Sequence, residues 1–422
     1  MEAKKQGCTV SDYVTLVRGT TYEGKLVGEP GPALLGLGSI EPGGGFREGH
    51  YKTYGGDCPA NLMLFPGDLY VSLKGATKDG TMIGSVARVP HTVPSGRLTQ
   101  DTVKLEFRNP DPEEMSYLYW ILRTPDYRAY CAKRATGSAV VALSRQDFLG
   151  YPVPPLSSLR KQLVNLFEGI DRKIENLRKQ NETLEAIAQT LFKHWFIDFE
   201  FPNKDGKPYK SSGGEMVGSE LGKIPAGWSV GKMEDVIEVR DGTHDSPKQT
   251  EEGFHLITSK HLKKEGIDFE SAYLISESDY IEVNKRSRVD TYDILLSMIG
   301  TIGLLYFVLD QDINFAIKNI GLFKASKNLD YAEYIFLFLS SDYGKTYFRT
   351  RLAGTTQSYL TLSSLREMHL IIPDKATLLG FKRIAKSLFE KFHANNQQTQ
   401  TLTKTRDVLL PKLMSGKLRI TE

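Results

Sequence analysis

Two stretches of the chain carry a seven-residue hydrophobic repeat. After Pro154-Pro155, Leu163, Ile170, Leu177, Leu184 and Leu191 fall seven apart, and Phe167, Ile174, Asn181, Ala188 and Trp195 do the same four positions later. After Pro373, the ladder returns as Phe381, Leu388, Asn395, Leu402 and Leu409, with Ala385, Phe392, Thr399 and Leu413 beside it. Apolar a and d positions with polar residues elsewhere define a coiled-coil seam. About forty residues at about 1.5 Å rise each reach about 60 Å, longer than a small domain is wide. An amphipathic helix lying on its own domain does not account for that length, whereas two such helices bury both seams by pairing antiparallel. Each ladder also contains an asparagine. Aligned about their midpoints, the ladders set Leu177 near Asn395, with Asn181 about one turn away. A polar residue in a seam costs stability but fixes register, so Asn181 is expected to share a polar layer with Asn395 or Asn396.

Outside the ladders the period changes. Short β-rich runs such as Leu69–Leu73 and Asp293–Ser297 are separated by Gly, Pro and Asp turns, and aromatic-rich helical stretches follow at Glu113–Arg123 and Tyr331–Leu339. The two halves echo each other. Val17-Arg18-Gly19-Thr20-Thr21 returns as Val239-Arg240-Asp241-Gly242-Thr243, Gly67–Gly75 lines up with Tyr292–Gly300, and Ala142-Leu143-Ser144 with Pro154 match Thr361-Leu362-Ser363 with Pro373. The offset stays near about 220 residues, far beyond the roughly 20–50 of solenoid units, so this is a duplicated domain. The expected fold is α+β: two similar domains separated by a long antiparallel two-helix coiled coil, with a pseudo-twofold internal repeat. The boundaries are a first domain over 1–155, a first helix over 156–200 and a linker over 201–227. A second domain over 228–374 and a second helix with the C-terminal run over 375–422 complete the chain. The linker is polar and rich in Gly, Ser and Pro (Pro202-Asn203-Lys204-Asp205-Gly206-Lys207-Pro208, then Ser211-Ser212-Gly213-Gly214) and ends at Trp228, an anchor for the second domain.

Composition then narrows function. Lys+Arg 54 against Asp+Glu 51 leaves a net charge of +3, so any nucleic-acid surface must be local. Three scattered cysteines, Cys8, Cys58 and Cys131, form neither a disulfide framework nor a zinc knuckle. There is no apolar run of membrane length and no apolar stretch behind the charged N-terminus, so a cytoplasmic location is expected. No catalytic constellation or metal site is expected either. Gly36-Leu37-Gly38 lacks the third glycine of a dinucleotide fingerprint, and no phosphate-cradling loop is present. Asn109-Pro110-Asp111-Pro112 reads as a turn before a helix rather than an adenine-methyltransferase loop. His255 and His261 lack metal-ligand spacing, and Glu23-Gly24-Lys25 has no partner acid.

Donor-rich loops are the remaining candidates. In the second copy they are Thr243, His244, Ser246 and Lys248, then Lys260, Lys263 and Lys264, then Arg286 and Arg288. Arg18, Thr20, Thr21, Arg47, Lys52, Lys74 and Lys78 occupy comparable positions in the first. Such side chains on loops meet phosphates and base edges. Lys260, Lys263, Lys264, Arg286 and Arg288 are expected to include phosphate contacts, and His244 to read a base.

Several segments resemble one family. Arg406-Asp407-Val408-Leu409-Leu410-Pro411-Lys412-Leu413-Met414-Ser415-Gly416-Lys417-Leu418 looks like the C-terminal signature of specificity (S) subunits of type I restriction–modification systems. Pro154-Pro155-Leu156 with Gln162 resembles the start of that family's first conserved helix. Tyr209–Val217 and Leu221–Trp228 resemble its linker, and Asp241–Lys248, Ile257–Leu262 and Asn284–Arg288 resemble one group of its target-recognition domains. The resemblance is weaker over residues 25–65, and Lys375–Phe381 depart from the family's pattern. It implies a non-catalytic subunit whose two domains each read half of a bipartite, asymmetric double-stranded DNA site. Its helices set the spacing and dock two methyltransferase (M) subunits, which bind S-adenosylmethionine and methylate adenine at N6. Restriction (R) subunits add ATP- and Mg-dependent translocation and cleavage in phage defence. This chain would hold no cofactor itself. A reader for another multi-subunit DNA-modification or defence system, and a scaffold binding only protein, remain the alternatives.

Overall fold

The computed structural model describes residues 8–75, 81–137, 141–263, 266–354 and 358–414. Two compact units emerge, one from Met1–Ile174 with Thr401–Glu422 and the other from Glu175–Gln400. The helices Ser158–Phe196 and Lys375–Met414 therefore each contribute one part to either unit.

The two main sheets of the first unit use β1 (Val14–Arg18), β2 (Ala33–Leu35), β3 (Met63–Leu64), β4 (Leu69–Ser72), β5 (Val86–Arg88), β6 (Gly96–Leu98) and β7 (Thr102–Phe107). A four-stranded antiparallel sheet has the order β1-β7-β4-β5, and a three-stranded sheet has the order β2-β6-β3 with β2 and β6 parallel. The apolar face of the larger sheet packs on the helices Pro112–Ile121 and Pro125–Arg134, burying Tyr117, Leu118, Trp120 and Tyr127. Both helices start at a capping oxygen followed by proline, Asp111-Pro112 and Thr124-Pro125. The turn reading of Asp111 is therefore the observed one. Leu163, Val164 and Phe167 of the first long helix and Leu410 of the second complete this core.

The two main sheets of the second unit follow the same plan, with β8 (Val239–Asp241), β9 (Phe254–Thr258), β10 (Leu274–Ile275), β11 (Ile294–Ser297), β12 (Leu305–Phe307), β13 (Phe315–Lys318) and β14 (Ile320–Phe323). Its larger sheet has the order β8-β14-β11-β12, and β9 and β13 form the parallel pair of the smaller one. The third small strand differs: β3 flanks β6, whereas β10 flanks β9. Equivalence extends to turns. Gly67 and Tyr292 both have positive φ, and the following Asp68 and Asp293 each accept a backbone N–H three residues back, from Phe65 and Asp290. The motif alignment sets Leu143 against Leu362, but the structure sets it against Leu360. Leu143 N–H donates to Leu73 and Leu360 N–H to Met298, and the next residues, Ser144 and Thr361, are both helix N-caps.

Within each unit the long helices pair antiparallel. In the first, Asp171 meets Arg406 at 2.6 Å. In the second, Asn181 meets Asn395, and Phe192, Trp195 and Phe196 pack around Phe381. Of the ladder residues, Leu163, Leu177, Asn181, Phe381 and Asn395 are buried, and Ile170, Leu184, Leu191, Leu388, Leu402 and Leu409 are half-buried. Asn395 Nδ2 donates to Asn181 Oδ1 at 3.0 Å and to Gln180 Oε1 at 3.3 Å, while Asn181 Nδ2 donates to Asn396 Oδ1 at 2.6 Å. The linker is ordered. Its hairpin joins Met216–Ser219 to Gly222–Pro225, and Phe201 stacks between Tyr209 and Trp228.

Candidate nucleic-acid interface

One loop recurs in both units, directly after the first strand. Gly19 follows β1 and Gly242 follows β8, each pressed against the parallel pair. A Cβ on Gly19 would lie 1.8 Å from the Thr99 carbonyl oxygen, and one on Gly242 2.6 Å from that of Ile317. Only glycine allows this approach. The next residue bridges in parallel to the neighbouring chain, Thr20 to Thr99 and Thr243 to Lys318. The frame is therefore common to both units, and what differs is the set of side chains placed on it.

In the second unit the loop is organised by Asp241. Its side chain is 7% exposed, and its two oxygens are divided between two loop-facing cations or donors: Oδ2 to His244 Nε2 at 3.0 Å, and Oδ1 to Arg286 Nη2 at 2.5 Å. The other ring nitrogen of His244, Nδ1, meets Asn319 Oδ1 at 2.8 Å. Asn319 sits at φ 52° between β13 and β14, a conformation asparagine tolerates, and its carbonyl accepts from Ser259 Oγ at 2.8 Å. Lys318 Nζ donates to Ser246 Oγ, and Thr243 Oγ1 accepts the Asp245 N–H at 3.1 Å, closing the turn. Arg286 lies in the last turn of the helix Glu277–Ser287, whose C-terminal carbonyls are met by cations: Arg240 donates to the Arg286 oxygen at 2.9 Å and Lys324 to the Arg288 oxygen at 3.0 Å. Arg240 and Lys327 also flank Glu238 and hold its carboxyl down at about 2.

In the first unit a different residue organises the same loop. Arg97, 4% exposed in the middle of β6, donates Nη2 to Thr20 Oγ1 at 3.2 Å and to the Thr21 carbonyl at 3.0 Å. Its Nε donates to the Asp57 carbonyl at 2.9 Å and its Nη1 to the Leu98 carbonyl at 3.2 Å. Strand pairing places Arg97 where the second unit has Ala316. Two equivalent loops are thus pinned by unrelated polar clusters.

The family model for the type I restriction modification DNA specificity domain matches residues 225–404. The specificity subunit of the type I restriction enzyme MjaIX from Methanocaldococcus jannaschii is 30% identical over 339 residues, covering 76% of this chain and 74% of that protein. This chain belongs to the type I restriction enzyme specificity subunits. The HindI specificity subunit of Haemophilus influenzae is 23% identical over 368 residues, covering 73% of this chain and 77% of its own. The crystal structure of a type I S subunit from M. genitalium aligns over 98% of both chains at a TM-score of 0.53 and 14% identity, a likeness of fold.

The other expected residues of this specificity subunit are dispersed. Arg18, Thr21, Lys52, Lys248, Lys260 and Lys263 are exposed, and Lys263 Nζ donates to the Lys260 carbonyl at 2.8 Å. Acids engage three more: Arg47 lies 3.7 Å from Glu41, Lys74 3.3 Å from Asp101, and Arg288 3.3 Å from Asp290. Lys78 and Lys264 lie outside the described residues. His261 is fully buried between Lys260 and Leu262, and its Nδ1 accepts the Thr258 N–H at 2.9 Å. Burial, then the charge of Lys260, pushes its pKa down. Sequence reasoning missed Arg97, Asn319 and Lys318. The first carries a signal in retrospect, a lone arginine inside a β-strand, and the others form a polar step between two apolar strands. Among the described residues no group of His, Cys, Asp and Glu could hold a metal, and no helix is long and apolar enough to cross a membrane.

Proposed function

We propose that each unit reads one half of a bipartite, asymmetric DNA site, and that the chain delivers methyltransferase and restriction subunits to it without catalysing a step. S-adenosylmethionine would reside on two M subunits, which methylate adenine at N6, and ATP with Mg on the R subunits. The observation that carries this reading is the duplicated frame with unrelated side-chain clusters on its equivalent loops, Arg97 in one unit and Asp241 in the other. Identical units would favour a symmetric site. A shared scaffold with different donors suits two different half-sites, since base edges are distinguished by donor and acceptor pattern. The paired helices would set the number of base pairs between the halves.

The test is exchange of one reader. Replacing residues 228–373 with the matching segment of another specificity subunit, then mapping adenine methylation across a host genome, should change one half of the methylated sequence and leave the other intact. Joint change of both halves, or methylation without sequence dependence, rejects the two-reader reading. Methyl transfer by the purified chain alone would reject the non-catalytic one.

A further inference from the structure

We propose that Arg286 is a base-reading residue of the second unit, selecting a guanine, and that Asp241 is its positioning residue. This rests on the reading of the chain as a DNA-recognition subunit and reassigns Arg286, which the sequence groups with phosphate contacts.

Three observations carry it. First, the Arg286 side chain is 60% exposed, yet one of its terminal nitrogens is tied to a carboxylate that is 7% exposed. The anchor is rigid: Asp241 ends β8, whose pairing partner is β14, and its second oxygen is occupied by His244. The backbone of Arg286 is fixed too, through the bond from Arg240 to its carbonyl. Second, a guanidinium anchored on one side keeps further donors in a planar fork, the geometry that pairs bidentately with the O6 and N7 of guanine. Third, a phosphate contact gains from unopposed positive charge and needs little orientation, whereas the Asp241 carboxylate opposes the arginine's charge and supplies only orientation. The arrangement therefore trades charge for direction, which serves base readout.

His244 has a different part. Both its ring nitrogens are engaged, by Asp241 and Asn319, while 66% of the side chain remains exposed. It presents a fixed ring face beside Arg286 rather than a free donor. The clamp also keeps the second Asp241 oxygen from competing for the guanidinium.

The experiment uses the full chain with its methyltransferase partner, duplexes carrying each single base-pair change in the methylated site, and binding measured at several salt concentrations. Arg286→Lys retains the charge and loses the fork. It should lose about ten- to a hundred-fold discrimination at one G·C pair of the half-site read by the second unit, with the salt slope unchanged. Asp241→Asn, nearly isosteric and still able to accept from His244, should relax the same position by a smaller factor. The other half-site should be unaffected by both. A uniform loss of affinity across sequences in Arg286→Lys, or unchanged discrimination at every position, overturns the assignment. Should Asp241→Asn unfold the unit, the exposed Arg286 substitution still decides. A wild-type complex without sequence-dependent binding overturns the DNA reading itself as well as this inference.

Discussion

Replacing Asn181 and Asn395 with leucine tests how the helix pair is held in register. Asn395 is 1% exposed and Asn181 7%. Asn395→Leu removes the donations to Asn181 and Gln180 and leaves Asn181 Oδ1 without its donor inside the seam, a cost of about 1–3 kcal/mol. Burial of the new leucine contributes about 1.5–3 kcal/mol in the opposite direction, so the single change should be nearly neutral. Asn181→Leu costs less, because Asn395 loses that acceptor but still donates to Gln180. The double substitution leaves neither amide in the seam, and the half-buried Gln180 and Asn396 can reach water. It should exceed the sum of the singles by about 1 kcal/mol or more, because the penalty of the unpaired Asn181 Oδ1 is avoided. Urea unfolding followed by the fluorescence of Trp195 and Trp228, both in the second unit, measures this cycle. The greater stability should come with lost register specificity, so methylation with the partner subunits should spread to incorrect spacer lengths. Additivity within about 0.5 kcal/mol, or a spacer preference unchanged in the double variant, would refute the argument.

Arg97→Ala should destabilise the first unit by about 3 kcal/mol, because several backbone carbonyls lose their donor, and Arg97→Lys should recover little since an ammonium cannot span them; thermal unfolding together with methylation mapping should show the first half-site disturbed and the second intact. His261 has a lowered pKa in the folded state, so an unfolded chain binds a proton that the folded one refuses. Its contribution is full above the ordinary histidine pKa of about 6.5 and is lost as pH falls below it, so the wild type should lose more stability than His261→Asn between about pH 7.5 and 5.5, and equal losses would exclude the residue as a cause. Neutralising Lys260, Lys263 or Arg288 singly should lower the salt slope of DNA binding by about one unit per phosphate contact with sequence preference retained, and an unchanged slope after all three would remove that surface from the interface.

What the sequence by itself determined is what repeats along the chain. The ladders from Leu163 to Leu191 and from Phe381 to Leu409 announce their helices because a seam residue returns every two turns, whatever the rest of the molecule does. The asparagine layer was legible for the same reason, since two heptad ladders aligned antiparallel leave few registers. Duplication was legible because equivalent turns need equivalent residues: Gly19 and Gly242 stand where any Cβ would strike a backbone carbonyl. Tertiary structure alone decided which polar side chains share a site. Asp241 and Arg286 lie 45 residues apart and Thr20 and Arg97 77 apart, joined only because elements from distant parts of the chain become neighbours. Nothing periodic marks such pairs, and a charged residue's role depends on its partner. Arg286 reads as a free cation in the sequence and as an anchored, oriented one beside the buried carboxylate of Asp241. The same holds for Arg97, whose charge is turned inward to carbonyls that only the folded sheet brings within its reach.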